Sequence, residues 1–174
     1  MAEGLSSLIA KHRSAIISKW FDSAVQSYAP DAAVLIRSQK DPFANPIGSQ
    51  TRVGVEALFE ELVGGMDAAG ITRGLDPLMR TRAVQSLAPT QAVAFIFALT
   101  RIRRDELGTG RDAAGPLADL EDRIDLLGLA AFDLYMACRE QIMELKANET
   151  RNRVFRAFEK AGLVAREPAP DADE

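Results

Sequence analysis

The segment from Leu126 to Cys138 constrains the fold more than any other part of the sequence. It carries one charged side chain, Asp133, among apolar and small residues. A helix that is apolar on every side is typical of a buried position, and the run is shorter than the ~18 apolar residues of a membrane span. We therefore expect it to be the buried centre of a last helix that runs from Pro116 to about Gly162.

The rest of the sequence predicts five earlier helices and no strand. Ser49 is the expected cap of the third helix, Asp76-Pro77 the expected start of the fourth, and Pro89 the start of the fifth. Apolar residues recur at three- and four-residue steps in the first segment, 4–28. The other predicted helices are 30–37, 50–63, 77–85 and 89–107, and the centre of the last of these, 92–99, is apolar on every side. The expected fold is an all-α, single-domain helical bundle of about six helices (residues 1–163), followed by a disordered acidic tail (164–174).

The fifth and sixth helices should lie antiparallel, because only about eight residues join them. This arrangement would place Phe95 and Phe97 beside the segment 127–129. Pairing of basic with acidic side chains across the hairpin is also expected, among Arg101, Arg103 and Arg104 on one side and Asp119, Glu121 and Asp122 on the other.

The last helix is much longer than the fifth, at roughly 68 Å against roughly 28 Å. Its apolar seam becomes polar towards the end before two phenylalanines restore it. The candidate dimer seam is Leu145, Asn148, Asn152, Phe155 and Phe158. Polar seam residues can fix the register of paired helices. The helix therefore either breaks near residues 146–149, or meets a second chain, or ends in a seam that fades into solvent.

Composition excludes several function classes. A net charge of −4 and a pI near 5.2 argue against nucleic acid as a partner. His12 is the only histidine, which excludes a serine-histidine-aspartate triad elsewhere in the chain and a two-histidine metal site. Dinucleotide and phosphate-loop motifs are absent. We expect no enzyme activity, no cofactor, no metal and no membrane insertion, and the lack of a signal peptide predicts a cytoplasmic protein.

Two polar features are the candidate site residues. Asp133 in its apolar run needs a partner if it is buried, and Arg82, Gln85 and Gln91 should cluster near one end of the hairpin. The candidate ligand or partner cluster is Arg82, Gln85, Gln91, Asp133, Tyr135 and Arg139. Such a cluster is either a satisfied structural network or the polar floor of a ligand pocket or partner site.

A proline-braced turn supplies the candidate interaction residues Phe43 and Asn45, between Pro42 and Pro46. Proline favours extended geometry in the residue before it, so the turn should be ordered. Phe43 is therefore either exposed to a partner or plugs the core.

Several blocks of sequence, in order, resemble the RsbRD N-terminal domain family. They include Trp20-Phe21, the segment 39–48, the segment 82–85, the segment 89–95 and the segment 133–140. The resemblance extends from about Leu5 to Leu163. It implies a helical sensory or input module, of the kind found ahead of the output domains of stressosome proteins or of a histidine kinase. Related inputs are globin-like dimers that bind no haem.

Some members of the family have no output domain. Members of this kind also resemble small proteins that are encoded beside membrane-bound electron-transfer complexes in sulfur-metabolising bacteria. The leading hypothesis is a non-enzymatic sensory or interaction domain that acts as a homodimer or docks to a separate signalling or electron-transfer protein. The alternative is a small-molecule sensor or carrier, with haem as one form, whose pocket lies between the fifth and sixth helices.

Overall fold

The computed structural model describes residues 9, 11–108 and 114–163, and these ranges contain helices and no strand. This confirms the all-α prediction. The chain divides into two compact units, Met1–Cys138 and Arg139–Glu174. The helices are α1 (Arg13–Val25), α2 (Pro30–Ser38), α3 (Pro46–Val63), α4 (Ala68–Val84), α5 (Pro89–Leu107) and α6 (Ala114–Lys160).

The cap of α3 is Asn45, so the predicted start at Ser49-Gln50 is wrong. The Asn45 Oδ1 atom accepts a hydrogen bond from the Gly48 amide at 2.9 Å. Its Nδ2 donates to the carbonyl oxygens of Ile36 and Gln39, each at 2.8 Å. A Cβ at Gly48 would lie 2.2 Å from that same nitrogen. Asn45 is therefore a buried brace between α2 and α3, not an exposed interaction residue.

The start predicted for α4 is also wrong, because Pro77 lies inside the helix. The cap is Asp67, whose Oδ2 accepts from the Gly70 amide at 2.9 Å. Asp76 instead pairs with Arg80 one turn later, at 2.7 Å. An interior proline costs roughly 3 kcal/mol, and the buried neighbours Leu75, Leu78 and Met79 offset that cost by packing against the core.

Helices α3 and α4 cross at two glycines. A Cβ at Gly54 would lie 2.9 Å from the Gly74 carbonyl oxygen, and a Cβ at Gly74 would lie 2.8 Å from Leu58. Only glycine allows the two backbones to approach this closely, which draws Val55 and Leu58 into the core.

Trp20 joins α1 to α5 at the centre of the core. Its indole Nε1 donates to the Phe95 carbonyl oxygen at 2.9 Å, and the two rings stack with centroids 6.2 Å apart. Phe95 therefore faces α1, which contradicts its predicted place beside α6. Phe97 does lie there, since its ring occupies the space beside Gly128.

Within the first unit, α6 buries one face. That face consists of Leu120, Ile124, Leu127, Ala131, Tyr135 and Cys138. Arg103 of α5 pairs with Glu121, as predicted for the hairpin. Among the described residues, Arg101 and Arg104 form no ion pair, so those predicted pairs are absent there. Arg123 Nη1 donates to the carbonyl oxygens of Leu62 and Gly64, at 2.7 Å each, and so satisfies the end of α3.

The opposite face of α6 is exposed, which overturns the prediction of a helix buried on every side. Leu126, Leu129 and Phe132 are between 43% and 63% exposed, and Phe97 of α5 is 44% exposed. Asp133 is exposed as well. The other helices of the first unit cover a single face of α6, so apolar composition here does not mean complete burial.

The second unit contains the last part of α6. The helix does not break near residues 146–149, and every side chain from Met143 to Leu163 is exposed. The predicted acidic tail, 164–174, and the start of the predicted first helix, residues 4–8, lie outside the described residues. No described helix is long and apolar enough to span a bilayer.

The glycine crossing gives a stability prediction. Gly54→Val should lower the free energy of unfolding by about 1–3 kcal/mol, because the added carbons overpack the contact with α4. Gly65→Val is the matched control, since nothing lies within 4 Å of a Cβ at that position. Urea unfolding followed by circular dichroism measures both variants. Equal midpoints would contradict the account of the crossing.

Candidate functional site

Arg82, near the end of α4, is a buried cation that ties three helices together. Its side chain is 1% exposed. Its Nη1 donates to Ser27 Oγ at 2.9 Å and its Nη2 donates to the Ala24 carbonyl oxygen at 2.8 Å. The guanidinium carbon lies 4.5 Å from the centroid of the Phe95 ring, a cation–π contact with α5.

This guanidinium has no counter-ion within the described part of the chain. No described carboxylate lies within ion-pair distance of Arg82, and its Nε finds no hydrogen-bond acceptor. Burial lowers the pKa of Arg82, and the nearby Tyr28 raises it to a smaller extent. Buried charges in proteins are ordinarily paired, so this arrangement is unusual.

Tyr28 links Arg82 to Gln85. The Arg82 guanidinium lies 5.8 Å from the Tyr28 ring centroid. Burial raises the pKa of Tyr28, while the charge of Arg82 and a hydrogen bond with Gln85 lower it. Two members of the predicted polar cluster therefore meet at a tyrosine that the sequence analysis did not single out.

A groove of about 270 Å³ lies next to Arg82, between the end of α1 and the start of α5. It is lined by Ser23, Gln26, Ser27, Gln91, Ala94 and Phe95. Ser27 and Phe95 each contact the guanidinium from the groove wall. The Oε1 atom of Gln91 accepts from the Ala88 amide at 3.1 Å, which closes the first turn of α5.

The other predicted cluster members have separate places. Tyr135 is fully buried and its hydroxyl donates to the Leu87 carbonyl oxygen, between α4 and α5. Asp133 is exposed, so the prediction of a buried carboxylate in need of a partner is wrong. Arg139 belongs to the second unit and is half-buried. The structure thus brings Arg82, Gln85 and Gln91 to one region, with Tyr135 bonded to the turn between them.

Phe43 is 97% exposed, so it does not plug the core. Its turn is well supported, because the Phe43 amide donates to Asp41 Oδ1 at 3.0 Å and the Asn45 amide donates to the Asp41 carbonyl oxygen at 2.8 Å. A nearby cleft of about 320 Å³ includes three cationic side chains, Arg37, Lys40 and Arg52.

The predicted pocket between the fifth and sixth helices is small. A cavity of about 20 Å³ lies there, lined by Leu99 and Arg103 of α5 and by Leu120 and Ile124 of α6, with residues of α1, α3 and Ile9. That volume holds about one water molecule. A larger ligand would require these helices to move apart.

Two further side chains, His12 and Cys138, were considered as reactive groups because each is the single residue of its type in the chain. His12 is partly exposed, and its Nδ1 lies 3.5 Å from Glu106 Oε2. Cys138 is buried, and burial raises the pKa of its thiol, which disfavours the reactive thiolate. The described residues include no group of three or more histidine, cysteine, aspartate or glutamate side chains placed to hold a metal ion.

The environment of Tyr28 predicts its titration. Tyr135→Phe leaves Tyr28 as the one remaining tyrosine of the chain, and its tyrosinate absorbance should appear at a pH above the ordinary tyrosine pKa of about 10. Since the folded pKa is raised, this group stabilises the fold below pH ~10 and loses that contribution as the pH rises through the folded pKa. The absorbance is measured while circular dichroism shows an intact fold. A midpoint at or below the ordinary value would contradict the buried environment.

The chain matches a family model described as the RsbT co-antagonist protein rsbRD N-terminal domain, over residues 14–150. No curated protein and no solved structure gives a significant match. The match covers α1 to α5 and most of α6, and includes Arg82, Tyr28 and the groove beside them. This chain belongs to the rsbRD N-terminal domain family, whose members are signalling input domains of stressosome-type proteins.

Proposed function

We propose that this domain is a non-enzymatic, cytoplasmic signalling input that acts as a homodimer, with the outward apolar side chains of α6 forming the contact between two copies. The observation that carries the proposal is the exposure of these side chains. Membership of a family of signalling input domains supports a regulatory role.

In the first unit, the exposed apolar side chains of α6 are close together. Leu126, Leu129 and Phe132 follow one another at intervals of three residues, so they lie along one side of the helix. Phe97 extends this area, because its ring covers Gly128, one turn before Phe132. Monomeric proteins rarely expose a contiguous group of large apolar side chains, and such groups mark protein contacts.

In the second unit, exposed apolar side chains recur along α6. Met143, Leu145, Val154, Phe155 and Phe158 are between 47% and 69% exposed. The predicted dimer seam, Leu145, Asn148, Asn152, Phe155 and Phe158, is exposed at every position. Asn148 and Asn152 in such a seam would set the register of two helices at some cost in stability. A second copy is the partner that presents the same seam, as a two-fold contact requires.

The homodimer predicts the mass of the protein in solution. The wild-type chain should behave as a dimer at about 50 µM, since a contact of this kind is expected to have a micromolar Kd or better. Phe155→Asp combined with Phe158→Asp should give a monomer with unchanged helix content, because the two side chains are exposed. Size-exclusion chromatography with light scattering measures both proteins.

A control for the double variant is Phe43→Asp, which places one aspartate, rather than two, at an exposed phenylalanine outside α6. It should remain a dimer. A monomeric wild-type protein at the same concentration would contradict the proposal, and so would a double variant that stays dimeric.

A second candidate function is docking to a separate partner at the Phe43 turn. An almost fully exposed phenylalanine on a hydrogen-bonded turn favours it, together with the neighbouring cations Arg37, Lys40 and Arg52. Aromatic side chains commonly anchor protein interfaces. The partner would be a signalling or electron-transfer protein with an acidic surface around an apolar pocket.

Phe43→Ala separates docking from a structural role. Its free energy of unfolding should stay within about 0.5 kcal/mol of wild type, as for other exposed positions. Thermal unfolding measures this, and a large loss of stability would show that Phe43 supports the fold. Asn45→Ala is the comparison, and should destabilise by about 1–3 kcal/mol because it leaves buried backbone groups without partners.

A further inference from the structure

We infer that the groove between α1 and α5 binds a small oxyanion, for which the buried guanidinium of Arg82 supplies the opposite charge. The site consists of Ser27, Gln26 and Gln91 at the groove surface, with Arg82 behind Ser27 and Phe95. This inference does not depend on dimerisation, because none of the groove residues belongs to the proposed contact between two copies.

The charge balance supports an anion. Arg82 is 1% exposed and pairs with no described carboxylate. The aromatic faces of Phe95 and Tyr28 offset part of the cost of burying the charge. An anion in the adjoining groove would offset more of it, since the electrostatic interaction of the two charges is only weakly screened near the protein interior.

The hydrogen-bond donors at the groove also suit an oxyanion. The Ser27 hydroxyl accepts from Arg82 and donates to the Ala24 carbonyl oxygen at 3.1 Å. That oxygen already accepts from Arg82 Nη2. The Ser27 hydroxyl can therefore rotate and donate to a ligand while the Ala24 oxygen keeps a partner. Arg82 would donate to Ser27, and Ser27 would donate to an anion in the groove, so two hydrogen bonds in series would connect the guanidinium to the anion.

Two amide side chains complete the set of donors. Gln91 uses its Oε1 atom to accept from the Ala88 amide, which leaves its NH₂ group as a donor. Gln91 also lies in the first turn of α5, a 19-residue helix whose N-terminus carries partial positive charge. Gln26 lines the same groove, and no carboxylate does. In the adjoining groove, Asp22 pairs with Arg37 at 3.2 Å, and Asp105 lies in the same groove as the cations Lys19 and Arg101.

The groove has room for a small ligand. Its volume is about 270 Å³, and it is open to solvent on one side. A short organic carboxylate or an inorganic oxyanion fits, and the two share the chemistry that Ser27 and Arg82 recognise.

The test is an NMR titration of the full chain with sodium acetate and, separately, sodium phosphate, each against sodium chloride at equal ionic strength. We expect saturable shifts of the Arg82 Nε–H signal and of the Ser27 and Gln91 amides, with a Kd of about 1 mM for the better anion. Saturation by acetate alone would indicate a carboxylate ligand, and saturation by phosphate alone an inorganic oxyanion.

Gln91→Glu should abolish the saturable shifts, because its carboxylate introduces a like charge into the groove. The substitution preserves the fold, since glutamate also closes a first helical turn. Gln141→Glu, exposed in the second unit, is the matched control and should bind as wild type. Shifts no larger than those with chloride would overturn the inference, as would binding that Gln91→Glu leaves intact.

Discussion

The buried face of α6 is the contact on which the rest of the first unit depends. From this face and its edge, Arg123 satisfies the carbonyl groups at the end of α3, and Tyr135 bonds to the turn between α4 and α5. Glu121 pairs with Arg103 of α5, and Gly128 provides the space that the Phe97 ring occupies. A shift of α6 along its axis would break all of these contacts together. The spacing of Leu120, Ile124, Leu127 and Ala131 therefore holds the other helices in place.

The exposed apolar residues of α6 have a different role in our account. Packing within the first unit leaves Leu126, Leu129 and Phe132 exposed, although large apolar side chains of this kind are usually buried. A sequence under selection for a monomeric fold alone would be expected to carry polar residues at these positions. The proposed homodimer explains their composition. It also explains the exposed Phe155 and Phe158 in the second unit, where helical packing within the chain provides no covering.

The sequence predicted the elements better than it predicted their orientation. Each described helix overlaps a predicted one, although the prediction missed residues 68–76 of α4, and the short link between α5 and α6 correctly predicted the pairing of Arg103 with Glu121. The run from 126 to 138 was misleading, because an apolar composition on every side does not require the other helices of the chain to cover every side. Asp76-Pro77 was misleading too, since an aspartate-proline pair is typical of a helix start and tertiary packing overrode it here. The role of Tyr28 and Ser27 could not be predicted, because their contacts with Arg82 join residues more than fifty positions apart in the chain.

If α6 contacts a second copy of itself, two labels at the same position of α6 in the two chains should lie at a fixed distance from each other. A spin label at Thr150→Cys, on the exposed part of α6, with the buried Cys138 replaced by alanine, places one label on each chain. Any dipolar coupling in double electron–electron resonance then arises between chains. A dimer through α6 predicts a narrow distance distribution for the spin-labelled protein, and this distribution should disappear when an excess of unlabelled protein is mixed in. A signal with no dipolar modulation would contradict the dimer.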